Sequence, residues 1–318
     1  MTNVLVTVPL LPRHREMLAA AGSDCCFDYT PAAEVTAEQM AAADVLIGNV
    51  APGKIGASEK LGWVQLASSG ADAYVKPGVL HAKTLLTNST GAYSKSVAEH
   101  AFAQTMMLQK NLHLYRDNQA RGLWRDEGPV TSIADATVAV IGLGEIGLHY
   151  ARMAKALGAY VLGVKRRQSD CPPAVDELYT MEELDAVLAR ADVVMSVLPE
   201  TELTHHLYTA ERFARMKETA IFINVGRGGA VASEALADVL KRGVIAGAAI
   251  DVAELEPLPA DSPLWQIPNL VITPHVAGDF HLIETLDRVA AIAAKNLAAY
   301  LRGEELINLV DFESGYRK

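Results

Sequence analysis

Residues 138–157 leave the chain few choices. A four-residue apolar run, 138–141, meets the turn Gly142-Leu-Gly144-Glu-Ile-Gly147, and an Ala-rich helical pattern follows at once over 148–157. In such a strand–turn–helix unit the first glycine allows a tight turn, the second lets backbone approach a pyrophosphate, and the third lets the helix pack on the strand. The helix amino terminus then offers free N–H groups and partial positive charge to phosphate. A second apolar run at 160–165 completes a βαβ unit, so the reading is a dinucleotide site rather than a glycine turn that merely packs.

The rest of the chain repeats this grammar. Short β-branched runs alternate with Ala-rich amphipathic stretches from end to end, the pattern of parallel sheets covered by helices, so the fold class is α/β. At roughly 100 to 200 residues per domain, 318 residues favour two domains. Strands are predicted at 3–8, 45–48, 63–67 and 84–87, with helices at 12–21 and 36–43, enough for one small sheet. A long helical pattern from Ser94 to about Arg121 reads as a bridge between domains. Six further strands, at 137–142, 160–165, 193–198, 220–225, 246–250 and 270–273, complete a doubly wound sheet, with helices at 145–157, 181–190, 209–216 and 232–242. A final helix at 282–302 carries Leu286, Val289, Ala293, Leu297 and Tyr300 at helical spacing, and INLVDF adds one extended piece. With the second sheet already full, this tail is expected to return to the first domain and make it discontinuous.

Composition narrows the partners. Half of the residues are apolar and 21% charged, which excludes general disorder. Lys and Arg total 28 against 38 Asp and Glu, a net charge of −10 that repels nucleic-acid phosphates, so DNA or RNA is not expected. Cys25, Cys26 and Cys171 are odd in number and lack metal-ligand spacing, which reads as a reducing compartment. The opening MTNVLVTVPLLPRHR lacks the pattern of a secretory leader, and no run approaches the roughly 20 apolar residues of a membrane helix. A cytoplasmic protein without a membrane partner is expected.

The chemistry-bearing residues lie at strand ends, where ligands bind in open α/β sheets. After the second strand of the dinucleotide unit, the place of the usual ribose-binding acid is taken by Lys165, followed by Arg166 and Arg167. Three cations suit a 2′-phosphate that an acid would repel, so NADP is preferred, while NAD stays possible if the basic run is merely solvated and Asp170 reaches the ribose. Arg227, in NVGRGG after the run AIFIN, has glycines that leave its guanidinium room to grip a carboxylate through two parallel hydrogen bonds. Glu256 lies in DVAELEP, and His275 lies in TPHVAG at the end of LVIT. Histidine titrates near neutrality, with an ordinary pKa of about 6.5, and a neighbouring carboxylate would favour a protonated ring ready to serve a substrate oxygen. The other histidines, His14, His81, His100, His113, His149, His205, His206 and His281, are taken as structural, with His205 and His206 expected to face apart in a strand. No HExxH or comparable metal motif occurs.

Seven segments together resemble the D-isomer-specific 2-hydroxyacid dehydrogenases: SSGAD at 68–72, SVAEHAFA at 96–103, VIGLGEIG at 140–147, LPETELTHHL at 198–207, INVGRGGAV at 223–231, GAAIDVAELEPLP at 247–259 and ITPHVAG at 272–278. The resemblance spans nearly the whole chain. It implies two Rossmann-like domains, with a dinucleotide-binding domain at 98–281 inserted into a substrate domain of 1–97 and 282–318, and the reaction in the cleft between them. It also implies that Arg227 holds the 2-oxoacid carboxylate and polarises the carbonyl. His275 would be the acid in reduction and the base in oxidation, and Glu256 would keep it protonated. Backbone amides of Ser69 and Gly70 would add carboxylate contacts. Cofactor contacts would fall to Ser69, Gly142, Gly144, Glu145, Ile146, Gly147, Leu198, Val225, Asp251, His275 and Gly278, with Lys165, Arg166 and Arg167 at the ribose. Members resembling this chain are usually homodimers through the cofactor domain, and the helix beginning near Ser94 is the expected interface.

The expected activity is therefore NADPH-dependent reduction of a small 2-oxoacid, glyoxylate- or hydroxypyruvate-like or larger, to the D-2-hydroxyacid. The alternatives are NAD-linked oxidation of a D-2-hydroxyacid or phosphoglycerate, and a nucleotide-sensing corepressor-like role. Glu256 stands where formate dehydrogenases of similar pattern carry glutamine, which disfavours formate, and the absence of an added regulatory domain disfavours a long phosphoglycerate dehydrogenase. Tyr74, Tyr93 and Trp265 are candidates for the substrate pocket whose positions the sequence leaves open.

Overall fold

Two fully parallel sheets organise the computed structural model, which describes residues 1–56 and 58–312. The chain divides into two units, one of Met1–Tyr93 with the chain from Phe280 onward, the other of Ser94–Asp279. In chain order the first segment gives β1 (Thr2–Val6), α1 (Pro12–Ala21), β2 (Cys25–Tyr29), α2 (Ala37–Ala42), β3 (Val45–Ile47), α3 (Pro52–Ile55), β4 (Trp63–Gln65) and β5 (Leu85–Thr87). The second unit opens with α4 (Ser94–Gln109) and α5 (Leu112–Ala120). It continues through β6 (Thr137–Ile141), α6 (Glu145–Ala156), β7 (Tyr160–Lys165), β8 (Glu177–Thr180), α7 (Leu184–Arg190) and β9 (Val193–Ser196). It ends with α8 (Ala210–Phe213), β10 (Ile221–Asn224), α9 (Ser233–Lys241), β11 (Gly247–Ile250) and β12 (Leu270–Ile272), after which α10 (Ile283–Arg302) rejoins the first unit.

The first sheet has the order β2-β1-β3-β4-β5. Its central strands are short and apolar, VLI and WVQ, because both faces are covered, as parallel sheets require. Leu5, Leu46, Val64, Leu66 and Leu86 form its core with Met40 of α2. Pro12 opens α1 at a position where a missing N–H costs nothing. α10 packs against α1, and Asp287 of α10 accepts hydrogen bonds from Arg13 at 2.6 Å and binds the buried His14 ring at 2.7 Å. Buried Asn296 of α10 donates to Gln65 Oε1 at 2.8 Å, so this buried polar side chain of β4 is satisfied from the helix. The extended piece after α10 meets β5 through an antiparallel bridge between Leu309 and Thr87.

The second sheet has the order β12-β11-β10-β9-β6-β7-β8. It holds seven strands instead of the six predicted, the addition being edge strand β8. β2 is likewise an unpredicted edge strand in the first sheet. Phe222 of β10 lies edge-on to Tyr208 and Phe213, with ring centroids 4.7 and 5.2 Å away, and these three buried rings anchor the core on one face. On the other face α4 packs against α6, β10 and β11, and Thr105 Oγ1 meets Tyr150 OH at 2.7 Å. The continuous helix predicted from 94 to 121 is two helices. Asn111 between them adopts φ 55°, a left-handed conformation that asparagine tolerates better than most residues.

Candidate active site

Because every strand of the second sheet runs parallel, all of its carboxyl ends share one edge. β6 sits between β9 and β7, so the strand order reverses there, and the crevice outside such a reversal is where α/β sheets bind ligands. The glycine turn leaves β6 at this point. Gly142 takes φ 105°, and a Cβ there would lie 2.8 Å from the Val197 carbonyl oxygen, so both backbone and space demand glycine. Gly142 N–H donates to Val164 O at 2.9 Å, and Leu148 N–H donates to Gly144 O to begin the α6 ladder. The amides of Leu143, Gly144, Glu145, Ile146 and Gly147 find no acceptor among the described residues. Open amides at a helix amino terminus beside a side-chain-free turn fit the pyrophosphate of a dinucleotide.

On one side of this turn, β7 ends at half-buried Lys165, whose Nζ donates to Ser169 Oγ at 2.9 Å, followed by exposed Arg166 and Arg167. On the other side, buried Leu198 and Val225 follow β9 and β10. Across that edge, three strand spacings of about 4.8 Å separate β10 from β7, roughly 14 Å.

Arg227 follows β10 in a loop fixed by buried Asn224. The Asn224 side chain donates to Arg227 O at 3.1 Å and accepts from Gly226 N–H at 3.2 Å. Arg227 itself is half-buried and donates from Nη1 to Gly226 O at 3.0 Å. Gly228 lets this loop press on the next one, since a Cβ there would stand 1.8 Å from Ala253 O.

That next loop carries Glu256. Its Oε1 accepts from Ala253 N–H at 3.0 Å, and its Oε2 lies 2.8 Å from His275 Nδ1. The bond occupies Nδ1, and Nε2 has no partner among the described residues, so Nε2 is the nitrogen left to exchange a proton with a ligand. His275 adopts φ 54°, a strained value for a residue with a Cβ, costing on the order of 1–3 kcal/mol. Buried Asp251 holds it there. The Asp251 carbonyl accepts from His275 N–H at 2.7 Å, and its carboxylate accepts from Thr273 Oγ1 at 2.6 Å and from the amides of Val276 and Ala277 at 3.0 Å each. Asp251, read from the sequence as a cofactor contact, thus also shapes the loop that aims the histidine. Gly278 follows in the same loop, half-buried.

Several positioning residues escaped the sequence reading. His100 of α4, taken there as structural, approaches Thr273 Oγ1 at 3.0 Å and lies 3.7 Å from Asp251 Oδ1, and Gln104 one turn later donates to the same hydroxyl at 3.1 Å. Their i, i+4 spacing on one helix face was the available signal. The placement of His205 and His206 needs correction. They lie in a turn, not a strand, and their rings stack with centroids 4.1 Å apart instead of facing away. His206 takes φ 47° and its N–H donates to Gly229 O, which directs both rings to one side, where Glu200 and Glu254 bind them at 2.7 and 2.6 Å. Burial opposes charge on Glu254, but the Ser233 amide and His206 outweigh it and hold its carboxyl below the ordinary range.

In the first unit, Ser69 and Gly70 follow β4 in a loop braced by Asn49, another residue the sequence reading passed over. Asn49 Oδ1 accepts from the amides of Ala67 and Ser68 at 3.0 and 3.2 Å, and its Nδ2 donates to Ser68 Oγ at 2.9 Å. Asn88 donates to Ser69 O at 2.8 Å. The amides of Ser69 and Gly70 then have no acceptor among the described residues, a pair of donors suited to an anion. Tyr93 is buried beside this loop and donates to Ala67 O at 2.6 Å, whereas Tyr74 donates to Val50 O and half-exposed Trp265 to Pro259 O. Among the described residues no group of three His, Cys, Asp or Glu side chains is arranged for a metal ion, and no helix is long and apolar enough to cross a membrane.

Comparison with known proteins gives the family. The profile described as "D-isomer specific 2-hydroxyacid dehydrogenase, NAD binding domain" matches residues 102–277, more than half of the chain. Glyoxylate/hydroxypyruvate reductase B of Escherichia fergusonii is 35% identical over 288 residues, covering 87% of each chain. A crystal structure of a D-isomer specific 2-hydroxyacid dehydrogenase family protein from Aeromonas salmonicida is 34% identical, with a TM-score of 0.87 over 98% of this chain and 99% of the other. An NADPH-dependent glyoxylate/hydroxypyruvate reductase from Sinorhizobium meliloti, solved with NADP and sulfate, is 27% identical, with a TM-score of 0.84 over 99% and 100% of the two chains. The chain belongs to the D-isomer specific 2-hydroxyacid dehydrogenase family.

Proposed function

We propose that the protein reduces a small 2-oxoacid to the D-2-hydroxyacid with NADPH. The observation that carries this reading is the Glu256–His275 pair, which leaves Nε2 unpartnered at the edge of the sheet that also bears the glycine turn. The open amides from Leu143 to Gly147 would hold a dinucleotide pyrophosphate, Leu198, Val225, Asp251 and Gly278 would add cofactor contacts, and Lys165, Arg166 and Arg167 would hold the 2′-phosphate. A reduced nicotinamide bound by these residues would supply the hydride that the reduction consumes.

The remaining chemistry falls to side chains. Arg227 binds the substrate carboxylate and stabilises the negative charge that grows on the carbonyl oxygen. The amides of Ser69 and Gly70 are the first unit's own pair of donors for a substrate carboxylate. His275 delivers a proton from Nε2 to the oxygen, and Glu256, bonded to Nδ1, stabilises the ring while it carries that proton. By microscopic reversibility the same nitrogen accepts the proton in oxidation.

Domain roles follow from these assignments: the unit of Ser94–Asp279 binds cofactor and the other unit binds substrate. The protein is assigned to the cytoplasm, as a homodimer formed through the cofactor-binding unit. α4 is largely occupied by its own core, while α5 and the segment after it expose Leu112, Leu123, Trp124 and Val130. Trp124 is fully exposed, a surface better explained by a second copy than by water.

The test is a trio of variants assayed with NADPH and a panel of 2-oxoacids. His275→Ala and Glu256→Gln are expected to lower kcat by at least about 100-fold while NADPH binding persists, and Arg227→Ala to raise KM as well as lower kcat. Near-normal turnover in all three would overturn the mechanism, and NADPH binding with no 2-oxoacid reduced by the parent protein would favour a nucleotide-sensing role instead.

A further inference from the structure

We infer that a cavity in the first unit receives the substrate's side chain and selects uncharged, branched or aromatic 2-oxoacids over glyoxylate. This deepens the proposed reduction and rests on it. The cavity, about 250 Å³, opens at the carboxyl ends of β1, β3 and β4, the position where α/β sheets take ligands. Ser68 lines it, immediately before the Ser69 and Gly70 amides assigned to the substrate carboxylate. A 2-oxoacid whose carboxylate sits on those amides would therefore have the cavity beside it to receive the group beyond the carbonyl.

The size and lining define what fits. At about 30 Å³ for a water-sized group, the volume equals roughly eight such groups. Glyoxylate has no side chain to place there, and the hydroxymethyl of hydroxypyruvate would leave most of it empty. Val8, Pro9, Ala67 and the rings of Tyr93 and Phe280, 6.3 Å apart, supply apolar wall. No charged side chain lines the cavity among the described residues, which disfavours dicarboxylic and phosphorylated acids. Its polar groups are mostly engaged internally: Tyr93 OH on Ala67 O, Asn49 on the Ala67 and Ser68 amides, and Ser68 Oγ on Gly70 O. Thr7 Oγ1 is the exception, buried and without a partner among the described residues.

The experiment measures kcat/KM with NADPH for glyoxylate, hydroxypyruvate, 4-methyl-2-oxopentanoate, phenylpyruvate and 2-oxoglutarate. One of the two bulky acids is expected to exceed glyoxylate by at least about tenfold, since each buried methylene is worth roughly fourfold, and 2-oxoglutarate is expected to be poor. Val8→Phe, which fills the cavity, should lower the ratio of bulky acid to glyoxylate by about tenfold or more. Pro9→Phe, at an exposed position on the same wall, gives the same readout if Val8→Phe fails to fold. Glyoxylate reduced as well as or better than the bulky acids, or a ratio that neither variant moves, overturns this inference and leaves the reduction standing. A preference for hydroxypyruvate also overturns it and transfers selectivity to the Thr7 hydroxyl. If no 2-oxoacid is reduced while NADPH binds, the proposed reduction fails and this inference with it.

Discussion

Replacing Lys165 and Arg166 together with serine should convert a preference for NADPH into near-indifference. Lys165 is half-buried and Arg166 exposed, so their field acts through water rather than through protein interior. In that medium two unit charges about 4 Å apart interact by roughly 1 kcal/mol. A phosphate monoester carrying −1.5 to −2 charges therefore gains about 1.5–2 kcal/mol from each cation, or roughly 3–4 kcal/mol from both. Screening at physiological salt, where the Debye length is about 8 Å, and the cost of ordering two long side chains reduce this to about 2 kcal/mol. At about 1.4 kcal/mol per factor of ten, NADPH should bind roughly 30-fold more weakly to the double variant. NADH has no 2′-phosphate, so its Kd should change by no more than about threefold. Titrating reduced-nicotinamide fluorescence with both cofactors at low and high salt checks the magnitude and its origin, because the parent protein's NADPH affinity should fall with salt more steeply than the variant's. Equal losses for NADPH and NADH, or an unchanged salt dependence, would refute the basic-pocket reasoning.

Three other perturbations probe the scaffold. Trp124→Ser should shift the protein from dimer toward monomer at micromolar concentration in sedimentation velocity, and a monomeric parent protein would remove the assigned interface. Phe213→Ala, which empties a fully buried site between Tyr208 and Phe222, should cost about 3–5 kcal/mol in urea unfolding monitored on the second unit. Glu177 receives hydrogen bonds from Arg190, Tyr179 and Tyr160, and these hold its carboxyl far below the usual range. A depressed carboxylate contributes stability that is present above its unfolded value, near 4.3, and is lost as pH falls toward the folded value. Glu177→Gln should therefore lower Tm at pH 7 and flatten the loss of Tm below about pH 4, so that the variant and parent converge in strong acid. A constant offset between the two curves would contradict the assignment.

Whether a feature is legible in the sequence depends on where its signal resides. α1 spans the predicted 12–21 and α6 falls within the predicted 145–157, because proline, glycine and apolar spacing act locally. β2, CCFDY, and β8, ELYT, were missed because edge strands cover only part of their surface and need no continuous apolar run. The break at Asn111 carries no proline or glycine, only a residue that tolerates the left-handed region, so nothing local announced it. The candidate site divides the same way. Arg227, Glu256 and His275 are legible because glycine, proline and a strand end surround each one, and the Glu256–His275 bond was foreseeable once both were noticed. Asn49 braces amides 18 and 19 residues on, and His100 and Gln104 act on a hydroxyl as far as 173 residues away, pairings that exist only after the sheets have formed, whereas Asn224 bonds within its own loop, two and three residues on. The stacking of His205 on His206 makes the same point in reverse. Alternation along a strand places neighbours on opposite faces, but a single positive φ at His206 cancels that rule, and no residue type at the position demanded it. Local chemistry thus marks the candidate groups, while the long-range hydrogen bonds that hold the His275 loop, centred on Asp251 and Thr273, are consequences of topology and become visible only in three dimensions.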